Sequence, residues 1–297
     1  MDISGAKVAV VGGAGFLGSH MVNHLVEDKG CTVIVLDNLM VGQRRFVHPK
    51  ATFVWCDISI SENVIRQILE ANKVKYVFNY AAVPYVPTSY SRPLCTFDIN
   101  ARGALMLMNA AQDAGVRGML QISSAEIYGD IGGKISEFAP AVPHSSYGAS
   151  KLAIDTLVQA RWRENKTRCI ALRQFNCIGA RETHPYVVPE IISQLSKSST
   201  IYLGNDSARD FMCAVDAVRM ATALLESEAW GEVFNLGSEE VIGIYDVAQL
   251  IGSLMGNGKV TIIPDPLRVR AWEIWHLQSD NTKIYEFVKE RPRHMLV

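Results

Sequence analysis

Short apolar runs rich in β-branched residues recur at 7–11, 32–36, 52–56, 76–79, 119–122 and 169–172. Each is apolar at consecutive positions instead of alternating, which predicts strands buried on both faces. Between most of them lie amphipathic stretches at 17–27, 63–70, 101–114 and 147–163, where apolar positions follow a helical period. Strand, helix, strand, repeated, predicts an α/β fold: a doubly wound parallel sheet with helices on both faces. After about residue 175 turn-rich segments such as 204–207, 237–240 and 264–266 separate shorter elements. This predicts a first domain over 1–174 and a smaller substrate-binding domain over 175–297. No linker separates them, so elements of the second part are free to return to the first sheet.

With 297 residues, 48% of them hydrophobic, the chain can bury a large core. A net charge of −1 gives no field to draw it onto nucleic acid or an anionic membrane. The basic run Arg161, Arg163, Lys166 and Arg168 falls where a helix ends, a position the helix dipole favours for cations. The six cysteines are scattered with no CxxC pair, a pattern of reduced thiols and cytoplasmic location. The apolar N-terminus is broken by glycines, and no stretch reaches the roughly 18 apolar residues of a membrane span.

The first predicted strand runs into Gly12-Gly13-Ala14-Gly15-Phe16-Leu17-Gly18 and then into a helix. A turn without Cβ atoms lets a pyrophosphate approach the helix N-terminus, where free N–H groups favour an anion. Three glycines alone are a weak signal and suit any tight turn. Here they join a strand to a helix, and Asp37 ends the second strand 19 residues after Gly18. That is the Rossmann arrangement. Asp37 would accept from the adenosine ribose hydroxyls and repel a 2′-phosphate, so NAD is expected over NADP. Asp57 closes the third strand, where it suits either the adenine edge or an ordinary turn.

Tyr147-Gly148-Ala149-Ser150-Lys151 opens a predicted helix, so phenol and ammonium share a face. A phenol ionises near pH 10. The Lys151 charge, together with a positive nicotinamide, is expected to lower that value and make Tyr147 a general base. The pair also fits a surface Tyr/Lys face. Ser123-Ser124, at the carboxyl end of the fifth strand where α/β sheets place ligands, favours the catalytic reading.

In their order GGAGFLG, Asp37-Asn38-Leu39, SSAEIYG (123–129), YGASK, LRQFN (172–176), Val188-Pro189, Arg209-Asp210-Phe211 and Asn235-Leu236-Gly237 resemble the extended short-chain dehydrogenases, specifically the nucleotide-sugar epimerase/dehydratase group. The resemblance covers nearly the whole chain and implies an NAD-dependent enzyme acting through transient C4 oxidation of a nucleotide diphosphate sugar. Ser124, Tyr147 and Lys151 would be its catalytic triad, with Asn100 positioning the lysine through water. The cofactor would meet Gly12, Gly15, Phe16, Leu17 and Gly18, then Asp37, Asn38, Asp57 and Ile58. It would also meet Tyr80, Ala81 and Ala82. Val86, Asn176, Val188, Arg209 and Arg270 would join Ser124 around the substrate, a guanidinium suiting phosphate. Where the family has His before its Ala-Ala pair, this chain has Asn79. The loop before Arg209 and the stretch 268–273 are shorter than the family pattern. A homodimer through the helices that begin near Ala101 and Tyr147 is also implied.

Glu126 separates the subfamilies. An acid here resembles the C5 base of 4,6-dehydratases and is also carried by UDP-glucuronate decarboxylases, whereas 4-epimerases usually lack it. The extra dehydratase Asp is replaced by Ala125, and Val86-Pro87-Thr88-Ser89 resembles the substrate loop of 4-epimerases. The balance leans to dehydration. A surface glutamate is the competing reading, and a non-catalytic NAD-binding scaffold is the competing class. His20 and His24 have zinc-ligand spacing but no third ligand, so no metal is expected. Trp272 and Trp275, which flank Glu273, suit core packing as well as stacking on a ligand.

Overall fold

The structure, a computed structural model, describes residues 1–182, 184–269 and 272–294. Its first half alternates β1 (Lys7–Val11), α1 (Phe16–Glu27), β2 (Thr32–Asp37), β3 (Thr52–Trp55), α2 (Glu62–Ala71) and β4 (Tyr76–Asn79). Two short helices follow, α3 (Val86–Ser91) and α4 (Pro93–Phe97). A π-helical turn over Asp98–Gly103 then runs into α5 (Ala104–Asp113). Next come β5 (Gly118–Ser124), β6 (Lys134–Ile135), α6 (Ser146–Asn165), β7 (Cys169–Gln174) and β8 (Asn176–Ile178). The remainder comprises α7 (Val187–Leu195), β9 (Thr200–Leu203), β10 (Ala208–Cys213), α8 (Ala214–Glu226) and β11 (Val233–Leu236). It closes with β12 (Val241–Gly243), α9 (Ile244–Leu254), β13 (Thr261–Pro264), β14 (His276–Ser279) and α10 (Thr282–Phe287).

Among the described residues the main sheet is parallel and has seven strands, in the order β11-β7-β5-β4-β1-β2-β3. The order reverses beside β1, between β2 and β4. A crevice opens there at the carboxyl ends of the strands, where doubly wound sheets bind ligands. Val8, Val10, Val33 and Val35 turn to one apolar layer with α1 and α8. Ala9, Val11, Ile34 and Leu36 turn to another with α2, α5 and α6. Burial on both faces of β1 and β2 explains their unbroken apolar runs. The edge strand β3 departs from that expectation: Phe53 and Val54 pack against the two layers, but Trp55 is 60% exposed at the margin of the sheet.

The expected helix over 101–114 is a π turn followed by an α-helix, and that turn carries Asn100. The division at 174/175 does not follow the sheet. After β10, α8 packs against α1 and β11 pairs with β7, so chain from the second part completes the first sheet. The smaller lobe is built from α7, β9, α9 and β13 around Ile191, Leu203 and Val247, with β12, β10 and β14 beside it.

Candidate active site

Helix α1 begins at an extended Gly15 that makes no side-chain cap, and its first turn carries no acid. Its leading N–H groups are therefore available to an anion. Two glycines permit the turn. A Cβ on Gly12, which has φ +74°, would lie 2.6 Å from the Ala81 nitrogen; one on Gly18 would lie 2.1 Å from the Gly12 carbonyl oxygen. Asp37, 7% exposed at the end of β2, accepts from the Ala14 N–H through Oδ2 at 3.0 Å and from the Leu39 N–H through Oδ1 at 2.8 Å. It thus braces the glycine turn while lining the crevice. Burial pushes its carboxyl up, and the two N–H groups counter this. Asp57 accepts from Asn38 Nδ2 at 2.9 Å and from the Ser59 hydroxyl. Burial raises its carboxyl, but these bonds and Arg102 outweigh it and hold it low.

The crevice is a single cavity of about 860 Å³. It is lined by Gly12, Gly15, Phe16, Leu17, Gly18, Asp37, Asn38, Asp57 and Ile58, and by Tyr80, Ala81 and Ala82. Ser124, Glu126, Tyr147 and Lys151 line the same cavity, as do Val86, Asn176, Val188 and Arg209. Arg270 lies outside the described residues.

Ser145 caps α6, accepting from the Gly148 N–H at 3.0 Å, and so fixes where Tyr147 and Lys151 leave the first turn. Lys151 is buried and donates from Nζ to the Ile122 carbonyl at 2.7 Å. Nζ is 5.8 Å from the centre of the Tyr147 ring. Burial pushes the ammonium down to about 8, opposed by Asp155. For Tyr147 the outcome reverses the lysine-based expectation. Burial pushes the phenol up to about 12; the Ser124 hydroxyl lowers it, and the charge of Glu126 raises it further. Desolvation of the phenolate dominates, while Lys151 is tied to a backbone carbonyl.

Two residues expected in the cleft lie behind the cavity lining. Asn100 does not line the cavity: its Oδ1 accepts from the Val83 N–H at 2.7 Å, and its Nδ2 donates to Ser150 Oγ at 3.1 Å. Ser150 in turn donates to the Tyr147 carbonyl at 2.7 Å. Asn100 thus fixes the turn between Tyr147 and Lys151 as a positioning residue. Asn79, placed by its sequence context in the cofactor cleft, is buried beneath it. It donates to Gln121 Oε1 at 2.6 Å and accepts from the Ala81 N–H at 3.1 Å, holding a residue of the cavity lining.

Asn176 lines the cavity, and its Oδ1 is buried with no hydrogen-bond partner among the described residues. Arg209 Nη2 donates to Glu273 Oε1 at 2.8 Å, and Glu273 Oε2 accepts from Asn205 Nδ2 at 3.0 Å. Both partners of this ion pair are largely buried in the cavity wall. Glu273 was legible only as the residue between two tryptophans. Tyr85, His184 and Tyr186 form an aromatic cluster in the same wall, with ring centres 5.6–5.8 Å apart. Glu182 also lines it, its carboxyl pushed up to about 8 by burial. The loop carrying these groups has no apolar period, so its inward faces left no pattern. His20 bonds the Ala180 carbonyl at 2.9 Å, and His24 bonds Asp28 at 2.7 Å. Among the described residues no group of three metal-ligating side chains occurs.

An open helix N-terminus, a glycine-rich turn and a buried Asp37 at the end of β2 fit a dinucleotide, and a buried Ser-Tyr-Lys set lines the same cavity. Fold and site together define an NAD-dependent enzyme of the Rossmann class. The family model described as "NAD dependent epimerase/dehydratase family" matches residues 8–237. The chain belongs to that family. It is 32% identical over 313 residues to a UDP-glucose 4-epimerase of Lactobacillus helveticus, covering 93% of each chain. To a dTDP-D-glucose 4,6-dehydratase of Mus musculus it is 30% identical over 253 residues, covering 82% of this chain and 71% of that one. A UDP-glucose 4-epimerase of Thermus thermophilus, solved with NAD, superposes with a TM-score of 0.88 at 25% identity, covering 98% and 95% of the two chains. DesIV, a dTDP-glucose 4,6-dehydratase of Streptomyces venezuelae solved with NAD, gives 0.87 at 26%, covering 98% and 93%. No helix among the described residues is long and apolar enough to cross a membrane.

Proposed function

We propose that the enzyme oxidises C4 of a nucleotide diphosphate sugar and completes a 4,6-dehydration, leaving a 4-keto-6-deoxy sugar. One observation carries the reading: Glu126 lines the cavity with Ser124 and Tyr147, close enough for its charge to raise the phenol. Bound NAD supplies a hydride acceptor that is regenerated within the turnover. Ser124 and Tyr147 hold the C4 hydroxyl, and Tyr147 takes its proton as the C4–H bond breaks. Lys151 presents its positive charge beside Tyr147, favouring the phenolate form that accepts this proton. The resulting ketone acidifies the C5 proton, which Glu126 removes. The same proton then leaves with the C6 hydroxyl as water, a role suited to Glu126 because Ala125 stands where an additional acid would otherwise be. The hydride would return from bound NAD to C6, and the proton taken from the C4 hydroxyl, exchanged with solvent, would go to C5, so the net change is loss of one water.

Arg209, its guanidinium held by Glu273 in the cavity wall, would meet the diphosphate, and Asn176, Val188 and Val86, which line the same cavity, would meet the rest of the substrate. Arg270 is assigned to the same diphosphate by sequence pattern alone. The free thiols of the described cysteines suit a cytoplasmic enzyme. The second reading, a 4-epimerase, is supported by the similarity to UDP-glucose 4-epimerases; decarboxylation of UDP-glucuronate is a third.

The test is incubation with NAD and UDP-, dTDP-, GDP- and CDP-sugars, with mass spectrometry of the products. Loss of water is expected from one of them. With Glu126→Gln that product should vanish while oxidation at C4 stays detectable as transient NADH. An epimer with no loss of water would replace this reading with the second, and no turnover of any sugar would reject an enzyme of this kind.

A further inference from the structure

Behind the Tyr147–Lys151 pair runs a buried polar chain that the chemistry above leaves unused. Asp155 lies four residues after Lys151 on α6, on the same helix face, and is 2% exposed. Its Oδ2 accepts from Arg173 Nε at 2.8 Å. Arg173, on β7, also donates through Nη1 to Tyr128 Oη at 2.6 Å and to the Glu137 carbonyl at 3.1 Å. Tyr128 Oη donates to Asn235 Oδ1 at 2.7 Å, and the Asn235 N–H donates to the Glu137 carboxylate at 2.7 Å. Asp155 Oδ1 is buried and has no hydrogen-bond partner among the described residues. Three groups act on this carboxylate: Arg173 from β7, Ser123 from β5, and Lys151 from its own helix. The Ser123 hydroxyl also donates to the Lys151 carbonyl at 3.2 Å.

We propose that Asp155 is a positioning residue for the reaction: anchored by Arg173, its carboxylate holds the Lys151 side chain as a cation beside Tyr147. The inference rests on the Tyr147–Lys151 chemistry proposed above.

A buried ammonium is disfavoured unless a negative charge answers it. Burial drives Lys151 down to about 8, and the charge of Asp155 is what resists. Arg173 serves the carboxylate in the same way: burial pushes Asp155 up, and Arg173, Ser123 and Lys151 restrain it. On the cavity side the titratable neighbours are Tyr147, on the same helix, and Glu126, on the turn after β5. Neither supplies a compensating negative charge to Lys151. Removing the Asp155 charge should therefore let Lys151 lose its proton at lower pH, and activity that needs the cation should fail there.

The experiment is the pH profile of kcat for Asp155→Asn with NAD and the accepted nucleotide-sugar. The alkaline limb should move to lower pH by about one unit. The ratio of kcat on that limb to kcat on the acid side should fall roughly tenfold, while Asp155→Glu should restore the limb. A purely structural role would lower kcat equally at every pH, and that result, or an unmoved limb, would overturn the proposal. Because Asp155→Asn leaves Arg173 buried and unpaired, the profile is also recorded for Asp155→Asn with Arg173→Met, which removes both charges together. A shift in the same direction is required there, smaller because the Arg173 cation is lost with the Asp155 anion. Tyr147→Phe separates the two ideas. If that variant stays active, the underlying chemistry is wrong; if it is inactive while the Asp155→Asn limb does not move, only the Asp155 proposal is lost.

Discussion

At Tyr147, burial and catalysis pull in opposite directions. The site raises the phenol to about 12 and depresses Lys151 to about 8, so at neutral pH the phenol keeps its proton while Lys151 keeps its charge by a narrow margin. Two outcomes follow at neutral pH and above. Tyr147→Phe should lower kcat by about 10²- to 10⁴-fold, the usual worth of a positioned acid–base group, with NAD binding retained in a calorimetric titration. In the unaltered enzyme kcat should decline as pH rises through about 8, because Lys151 passes from cation to amine there. The residues of this chemistry were legible because each belongs to a spaced motif: Tyr147 with Lys151, Gly12 with Gly15 and Gly18, Asp37 at a strand end. Glu273 and Glu182 were not, since a lone acid in an aperiodic stretch carries no spacing signal. The direction of the Tyr147 shift was hidden too, because sequence reveals a neighbouring charge more readily than the loss of solvent.

Elements place these residues, and their boundaries decide the geometry. Helix α6 starts where Ser145 caps it, so the side chains two and six positions later are aimed by that first turn. Ser145→Ala should cost about 1 kcal/mol of stability, read as a lowered melting temperature, and should also lower kcat by loosening the turn. Strands β1 and β2 could be read directly, because burial on both faces leaves unbroken apolar runs. The exposure of β3 could not, since edge position is a property of the sheet and not of the strand. Nor could the π turn at Asp98–Gly103, which differs from an α-helix by one hydrogen-bond step while keeping a helical pattern. That turn delivers Asn100 to Val83 and Ser150, under the catalytic turn rather than into the cavity.

For the molecule as a whole, the doubly wound sheet was legible, and so was the freedom of later elements to return to it, but not which strand does so. Strand β11 returns to β7 from far along the chain, a pairing no local pattern encodes. The consequence is functional: one continuous cavity takes cofactor-facing groups from the first half and Asn176, Val188 and Arg209 from the second. Leu94 and Phe97 are exposed on α4, beside α6. A homodimer covering this side is expected, and multi-angle light scattering should give twice the chain mass; a monomer at micromolar concentration would reject it. The most direct measurement is the product formed in deuterated water with NAD and the accepted nucleotide-sugar. The expected product is a 4-keto-6-deoxy sugar, one water lighter than the substrate, carrying deuterium at C5. An epimer of unchanged mass with no deuterium at C5 would contradict it.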